Sequence, residues 1–209
     1  AVLNISSDVN LINNNPAFNV YLSYTKPESE VWEIALSSNQ GKYMINCDYG
    51  YFSSAGKEGY MEGSTDYTIA CTATGFEIIS VGAYVSKEEY TDILGTVHRS
   101  DWSKFHLYPL SGKGPTYDGR IKPDVVAVGL GADVIRTDGN QGKANGTSFS
   151  SPIMCGMVTC LWQACPELTA KEVIELVRRS GDRKDYPDNI YGYGVPDMWK
   201  AYQDYLLKR

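Results

Sequence analysis

The stretch KANGTSFSSPIMCGM, Lys143 to Met157, joins a short polar run to a segment that reads as helix. A helix begins with backbone N–H groups that have no intrahelical acceptor, and with the positive end of its dipole. Donors of this kind stabilise a negative oxygen that develops beside them. A serine at that mouth, Ser148, can attack a carbonyl with its own N–H next to the forming charge. Gly146 lets the backbone turn tightly and a substrate approach closely. Pro152 is placed in the first helical turn, where its missing N–H forfeits no bond. Ser150, Ser151 and Gly156 are small, so the helix can lie close to a sheet. On these residues alone an ordinary Ser/Thr helix cap is the preferred reading of the motif.

A nucleophilic serine needs a general base, and the base needs an orienting acid. The chain has two histidines, His98 and His106, both within GTVHRSDWSKFHLYPL. They read as solvated loop side chains, with His106 partly packed in an apolar context. Asn4-Ile5-Ser6 and Asn145-Gly146-Thr147 are glycosylation sequons. A glycan on Asn145 would obstruct Ser148, so neither is assigned a glycan. TDGNQGKANGTS sets glycines before a helix but lacks the spacing of a phosphate-binding loop. Cys47, Cys71, Cys155, Cys160 and Cys165 are odd in number and lack the spacing of a zinc site. They are expected as small buried apolar side chains, with a Cys47–Cys71 bridge left open.

The positioning elements differ along the chain. Residues 1–75 are rich in Asn, Ser, Tyr and Gly. FNVYLSYT (18–25), VWEIALS (31–37) and KYMINCDYGYF (42–52) read as strands, separated by the turn signals KPESE and SNQGK. That makes an antiparallel β module. FEIISVGAYVS (76–86) is a buried-strand run, and DVVAVGLGADVIRT (124–137) holds two more, broken at Gly129 and Gly131. Helices follow: about 148–164, then LTAKEVIELVRRSGD with Thr169 as cap, Glu172 completing a capping box and Gly181 as stop. Val173, Ile174 and Val177 form its apolar stripe. A third helix begins near Pro196 and Asp197. The later part is therefore strand–strand–helix–helix, an α/β layout.

Bulk properties set outer limits. At 209 residues, 43% hydrophobic and 21% charged, the chain suits one large domain or one domain with an added layer. A net charge of −6 without a basic run argues against nucleic acid as partner. No apolar run approaches a membrane span. The sequence opens AVLNISS, without Met or leader pattern, which fits a processed or excised piece and equally the common removal of Met before Ala.

GTSFSSP (146–152) resembles the nucleophile motif of subtilisin-like serine proteases, Gly-Thr-Ser-x-Ser/Ala-x-Pro. Three further stretches are similar to that family in the same order. IISVGAYVS (78–86) looks like its core strand ending in Val-Gly-Ala. SGKGPTYDGRIKPDVVAVG (111–129) resembles its Ser-x-x-Gly-Pro and Lys-Pro-Asp-Val segment, and YGYGVPDMWKAY (191–202) its closing Gly-Tyr-Gly turn and helix. The resemblance implies an α/β fold with a parallel sheet and Ser148 as triad nucleophile. It also implies that Thr147 and Ser148 lie near the oxyanion hole. Two departures stand out. Val128 replaces a proline, and the loop between the core strand and SGKGP is long.

The family's Asp-Thr/Ser-Gly and His-Gly-Thr motifs do not occur in the sequence, and neither histidine falls where the family has its base. Its oxyanion asparagine has two readings. SSAGKEG (53–59) lies at a compatible distance and would put Lys57 there. Alternatively the β module, jelly-roll-like and inserted, makes SAGKEG a hairpin turn and leaves the asparagine before Ala1. The insert reading is preferred. The expectation is a subtilisin-like C-terminal catalytic portion (76–209) with an added antiparallel β-rich N-terminal module (1–75). It would be a hydrolase acting on polypeptides, with the Asp and His on a missing N-terminal part, and inactive alone. A non-catalytic binding module of the same fold is the alternative. No cofactor is expected. Calcium is common in the family, but no ligand set is identified. Secretion or a cell-envelope location is expected by resemblance.

Overall fold

The computed structural model describes residues 2–9, 16–23, 32–37, 41, 44–47, 51–91 and 94–207. The chain divides into two compact units, Ala1–Ile45 and Asn46–Arg209.

Among its described residues the first unit has an antiparallel strand pair, β1 (Val2–Val9) with β2 (Pro16–Ser23). Its register sets Ile5 opposite Val20 and Ser7 opposite Phe18 on one face. Asn4 opposite Tyr21 and Ser6 opposite Asn19 occupy the other. The period of two thus sorts apolar from polar, yet Ile5 is 64% and Phe18 70% exposed. The strand expected at 18–25 is β2, with residues 24–25 outside the described residues. The strands expected at 31–37 and 42–52 are corrected: residues 32–37, 44–47 and 51–52 adopt none. A pleated ladder needs a paired neighbour, and among the described residues no strand lies opposite them. KPESE, most of SNQGK and residues 48–50 lie outside the described residues.

The second unit is the α/β part. β3 (Val81–Val85) and β6 (Val125–Leu130) pair in parallel, Val81 opposite Val125 and Ala83 opposite Ala127. Both strands are apolar on both faces, as parallel strands under helices are. The segment 105–108 runs antiparallel along the other edge of β3, with Val85 N–H donating to the His106 carbonyl at 2.9 Å and Tyr108 N–H to Ala83 at 2.9 Å. Between them the chain forms a hairpin, β4 (Glu89–Thr91) with β5 (Val97–Arg99). After β6 a second hairpin, β7 (Ala132–Ile135) with β8 (Gln141–Ala144), returns the chain to the helices. The strand break after β6 is at Gly131, with φ +76°, and Gly129 lies inside β6.

Three helices follow: α1 (Thr147–Ala164), α2 (Ala170–Ser180) and α3 (Met198–Leu206). α2 carries the expected capping box, with the Thr169 hydroxyl accepting from Glu172 N–H and the Glu172 carboxylate accepting from Thr169 N–H. Val173, Leu176 and Val177 of α2 join Met154 and Leu161 of α1, Ala201 and Tyr205 of α3, and Val125 and Ala127 of β6 in the core. Full burial of the Val, Leu and Met side chains among them is worth roughly 1.5–3 kcal/mol each. Asp197 caps α3, its side chain accepting from Lys200 N–H, so Pro196 precedes the cap instead of entering the first turn.

The Lys-Pro-Asp segment anchors this core through charge. Asp124 is 0% and the Lys122 side chain 1% exposed, with Nζ 2.6 Å from Oδ2. Oδ2 also accepts from Ser80 N–H at 2.6 Å, and Oδ1 from Arg178 Nε at 3.0 Å and Nη2 at 2.5 Å. The Gly-Tyr-Gly turn closes over the same residue: Tyr193 N–H donates to the Asp124 carbonyl at 2.7 Å. A Cβ on Gly192, at φ +60°, would sit 2.1 Å from the Pro123 carbonyl oxygen, so this contact demands glycine.

Candidate active site

The corner that carries Ser148 leaves the carboxyl end of β6 through the β7–β8 hairpin and enters α1 at Gly146. Ligands of open parallel sheets bind at these strand ends. Three bonds staple the corner to Val128 and Gly129 of β6 and to Gly131 at its exit. Gly146 N–H donates to the Gly129 carbonyl at 2.6 Å. Gly131 N–H donates to Asn145 Oδ1 at 2.9 Å, and Ser150 Oγ to the Val128 carbonyl at 3.0 Å. Ser150 is fully buried, and a Cβ on Gly129 would lie 2.2 Å from Ala83 Cβ and 2.9 Å from Ser150 Oγ. Glycine in β6 is therefore what lets α1 approach the β3–β6 pair.

Gly146 is the N-cap, at φ +123° and ψ +162°, with no side-chain cap bond. This removes the cap role weighed for Thr147 and Ser148, which are the first two residues of the helix. Ser148 is exposed. Among the described residues its Oγ has no hydrogen-bond partner, and the Thr147 and Ser148 N–H groups have no acceptor. The helix mouth thus holds two free donors beside a free hydroxyl. Pro152 is corrected from first turn to sixth helical residue, because the helix starts directly at Thr147. There it has no N–H to offer the Ser148 carbonyl, so the backbone is loosened one turn into the helix.

The other named residues lie elsewhere. Lys57 ends a turn, its N–H donating to the Ser54 carbonyl at 2.9 Å, with φ +50° at Ala55 and +72° at Gly56. Positive φ at both central positions is the pattern of primed hairpin turns. Lys57 Nζ sits 5.2 Å from the Tyr60 ring centre. His98 is on β5, exposed and stacked on Tyr90 at 5.0 Å. His106 is exposed, which corrects its expected partial packing: its backbone, not its ring, is held against β3. None of the five cysteines is joined in a disulfide among the described residues, and of the five Cys165 is the buried one. The expected burial of the other four is corrected. For Cys155 and Cys160 the reason is that α1 turns only one stripe to the core.

Charge gathers on the hairpin leading to Ser148. Asp133 and Lys143 face each other across β7–β8 and form an ion pair. Hydrogen bonding to Lys143 holds the Asp133 carboxyl below its ordinary range. Burial is the largest single influence on Lys143 and works against its charge, but the bonds and charges of its neighbours, Asp133 foremost, together outweigh it and hold the ammonium above its usual range. Sequence reasoning passed over Asn145, Ser150 and Gly129 as staples. Their signal was the strict small-residue run around Ser148, which points to close approach without saying to what.

The sequence model of the subtilase family, Peptidase S8, matches residues 14–194. The chain belongs to the subtilase family. It is 30% identical over 148 residues to the serine protease AprX of Bacillus subtilis, covering 64% of this chain and 31% of AprX. It is 31% identical to pyrolysin of Pyrococcus furiosus over 149 residues, 68% of this chain and 10% of that protein. This subtilase chain therefore spans about a third or less of the length of these relatives. Among solved structures it is similar to the CspB protease of Clostridium perfringens, with a TM-score of 0.56 at 23% identity, covering 72% of this chain and 31% of that one. That likeness establishes a subtilase-like fold of mixed α/β content with a parallel strand pair. Among the described residues, no helix is long and apolar enough to cross a membrane, and no group of three or more His, Cys, Asp or Glu is placed to hold a metal ion.

Proposed function

We propose that residues 1–209 are the nucleophile-bearing portion of a subtilase endopeptidase, in which Ser148 attacks the scissile carbonyl of a polypeptide. The observation that carries this is the uncapped α1 mouth, where an exposed Ser148 hydroxyl stands beside two unbonded N–H donors on a stapled corner. In the reaction Ser148 Oγ bonds to the carbonyl carbon and its proton passes to an imidazole. The tetrahedral oxyanion is met by the Ser148 N–H. Collapse expels the amine, which takes the proton back, and water then hydrolyses the acyl ester.

The imidazole and its carboxylate belong, in this reading, to a part of the polypeptide outside 1–209. Support comes from α1. Its sequence is apolar around most of its circumference, and such helices are covered on all sides. Yet Ser148, Pro152, Cys155, Thr159 and Trp162 are all exposed, and their spacing makes them one stripe that begins at the nucleophile. Beside it a groove of about 330 Å³ is lined by Val134 and Ile135 of β7 and by Phe149, Pro152 and Ile153 of α1. A segment covering this stripe reaches Ser148. The isolated chain then lacks efficient proteolysis. Residues 1–75 act as an inserted module that carries the β1–β2 strand pair, which leaves Lys57 in a turn and the oxyanion asparagine upstream. Family resemblance favours a secreted or cell-envelope location.

The test is peptide hydrolysis by this chain alone and by the same chain extended upstream in its gene. The extended protein should hydrolyse a denatured polypeptide, and Ser148→Ala should abolish this. An extended, folded protein without hydrolysis would make a non-catalytic binding module the better reading.

A further inference from the structure

The β4–β5 hairpin fills the long segment between the core strand and SGKGP. It is built more firmly than a connection requires. Glu89 pairs with Arg99 at 2.8 Å, Tyr90 stacks on His98, and Glu88 accepts from Ser100 N–H at 2.7 Å and, through Oε1, from Lys104 N–H at 2.8 Å. It also leans on the approach to the nucleophile. Ser86 Oγ donates to the Leu130 carbonyl at 2.7 Å, and Lys87 Nζ lies 3.8 Å from Asp133. Tyr90 covers Gly131, where an added Cβ would lie 3.7 Å from the ring. Lys143 Nζ sits 5.8 Å from the centre of the same ring, and the Lys143 side chain is only 12% exposed.

These contacts converge on one short path. Gly131, under Tyr90, donates to Asn145. Lys143, over Tyr90 and paired with Asp133, is two residues before Asn145. Asn145 precedes Gly146, Thr147 and Ser148. A two-stranded hairpin such as β7–β8 is marginal by itself and needs packing from outside to hold its geometry. Tyr90 supplies an aromatic surface and a cation–π partner at the point where that hairpin enters the corner.

We propose that the β4–β5 hairpin is a brace for the nucleophile corner, with Tyr90 and Lys143 as positioning residues that fix Ser148 through Gly131 and Asn145. The functional meaning of the brace rests on Ser148 being the nucleophile; its mechanical action does not. The experiment is hydrogen exchange read by mass spectrometry on the full 209-residue chain. Tyr90→Ala should speed exchange across 141–149 by about three- to tenfold, the range for loss of one such contact. Peptides from α2 and α3 should keep their native rates. Tyr90→Phe keeps the ring and should restore native exchange, and Lys143→Met should reproduce the Tyr90→Ala effect from the other side. Unchanged exchange at 141–149 in Tyr90→Ala overturns the brace, as does an equal rise throughout α2 and α3. Labelling of Ser148 by an active-site probe decides the nucleophile separately, so the two claims can fail independently.

Discussion

Replacing Asp124 by Ala tests the packing of the whole α/β unit. The carboxylate accepts from Ser80 N–H, Lys122 and Arg178, at distances between 2.5 and 3.0 Å. Lys122, 1% exposed, has one other partner, the Ile78 carbonyl at 3.3 Å. Removing the anion strands a buried ammonium and a buried N–H and leaves the half-buried Arg178 guanidinium with Glu175. Breaking a buried pair from one side costs roughly 3–5 kcal/mol. For a unit of this size each kcal/mol moves the melting temperature by about 2–4 °C, so Asp124→Ala should lower Tm by roughly 6–20 °C. Lys122→Met should cost less, because Asp124 keeps Arg178. The double variant Asp124→Leu/Lys122→Met should recover part of the loss, since apolar replacement of a buried pair is often near neutral. Thermal unfolding followed by circular dichroism reads all three. A Tm drop for Asp124→Ala within about 3 °C, or no greater than for Lys122→Met, would refute the reasoning.

Three further outcomes follow from the same geometry. Gly129→Ala drives a methyl into Ala83 and Ser150 and should cost about 1–3 kcal/mol in urea unfolding, with α1 displaced from the sheet. Glu172 has its carboxyl held below the ordinary 4.5, first by its bond with the Thr169 backbone and then by the Thr169 hydroxyl. A depressed folded value means its contribution is present above about pH 4.5 and is lost as pH falls through the folded value, so Glu172→Gln should flatten the stability–pH curve only in that acid window. Alkylation should reach Cys71, Cys155 and Cys160 in the native chain but Cys165 only on unfolding, and an upstream extension that covers the α1 stripe should protect Cys155.

What the sequence displays plainly is what is local. The Thr169–Glu172 box and Gly181 bound α2 because caps satisfy backbone groups within four residues. Val-Gly-Ala and Val-Val-Ala-Val, the latter directly after Lys-Pro-Asp, appear as buried strands because parallel strands are apolar on both faces. Non-local pairing is what hides. β8 is Gln-Gly-Lys-Ala, a sequence without strand character, and it is a strand only because Asp133 and Val134 lie opposite. β1 carries an alternation, Leu3, Ile5, Val9, diluted by Asn and Ser. Pro152 was misplaced because its position depends on where the helix starts, which Gly146 sets through its bond to Gly129. At the candidate site Ser148 stood out by motif, but Asn145, Ser150 and Gly129 are joined across as many as 22 residues and only the fold brings them together.

The most direct measurement is reaction with a fluorophosphonate probe, read by intact mass and peptide mapping. The account predicts no stoichiometric labelling of residues 1–209 alone, and single labelling at Ser148 in the protein extended upstream. Stoichiometric labelling of the isolated chain would show that the base is already present. An extended, folded protein left unlabelled at Ser148 would contradict Ser148 as nucleophile.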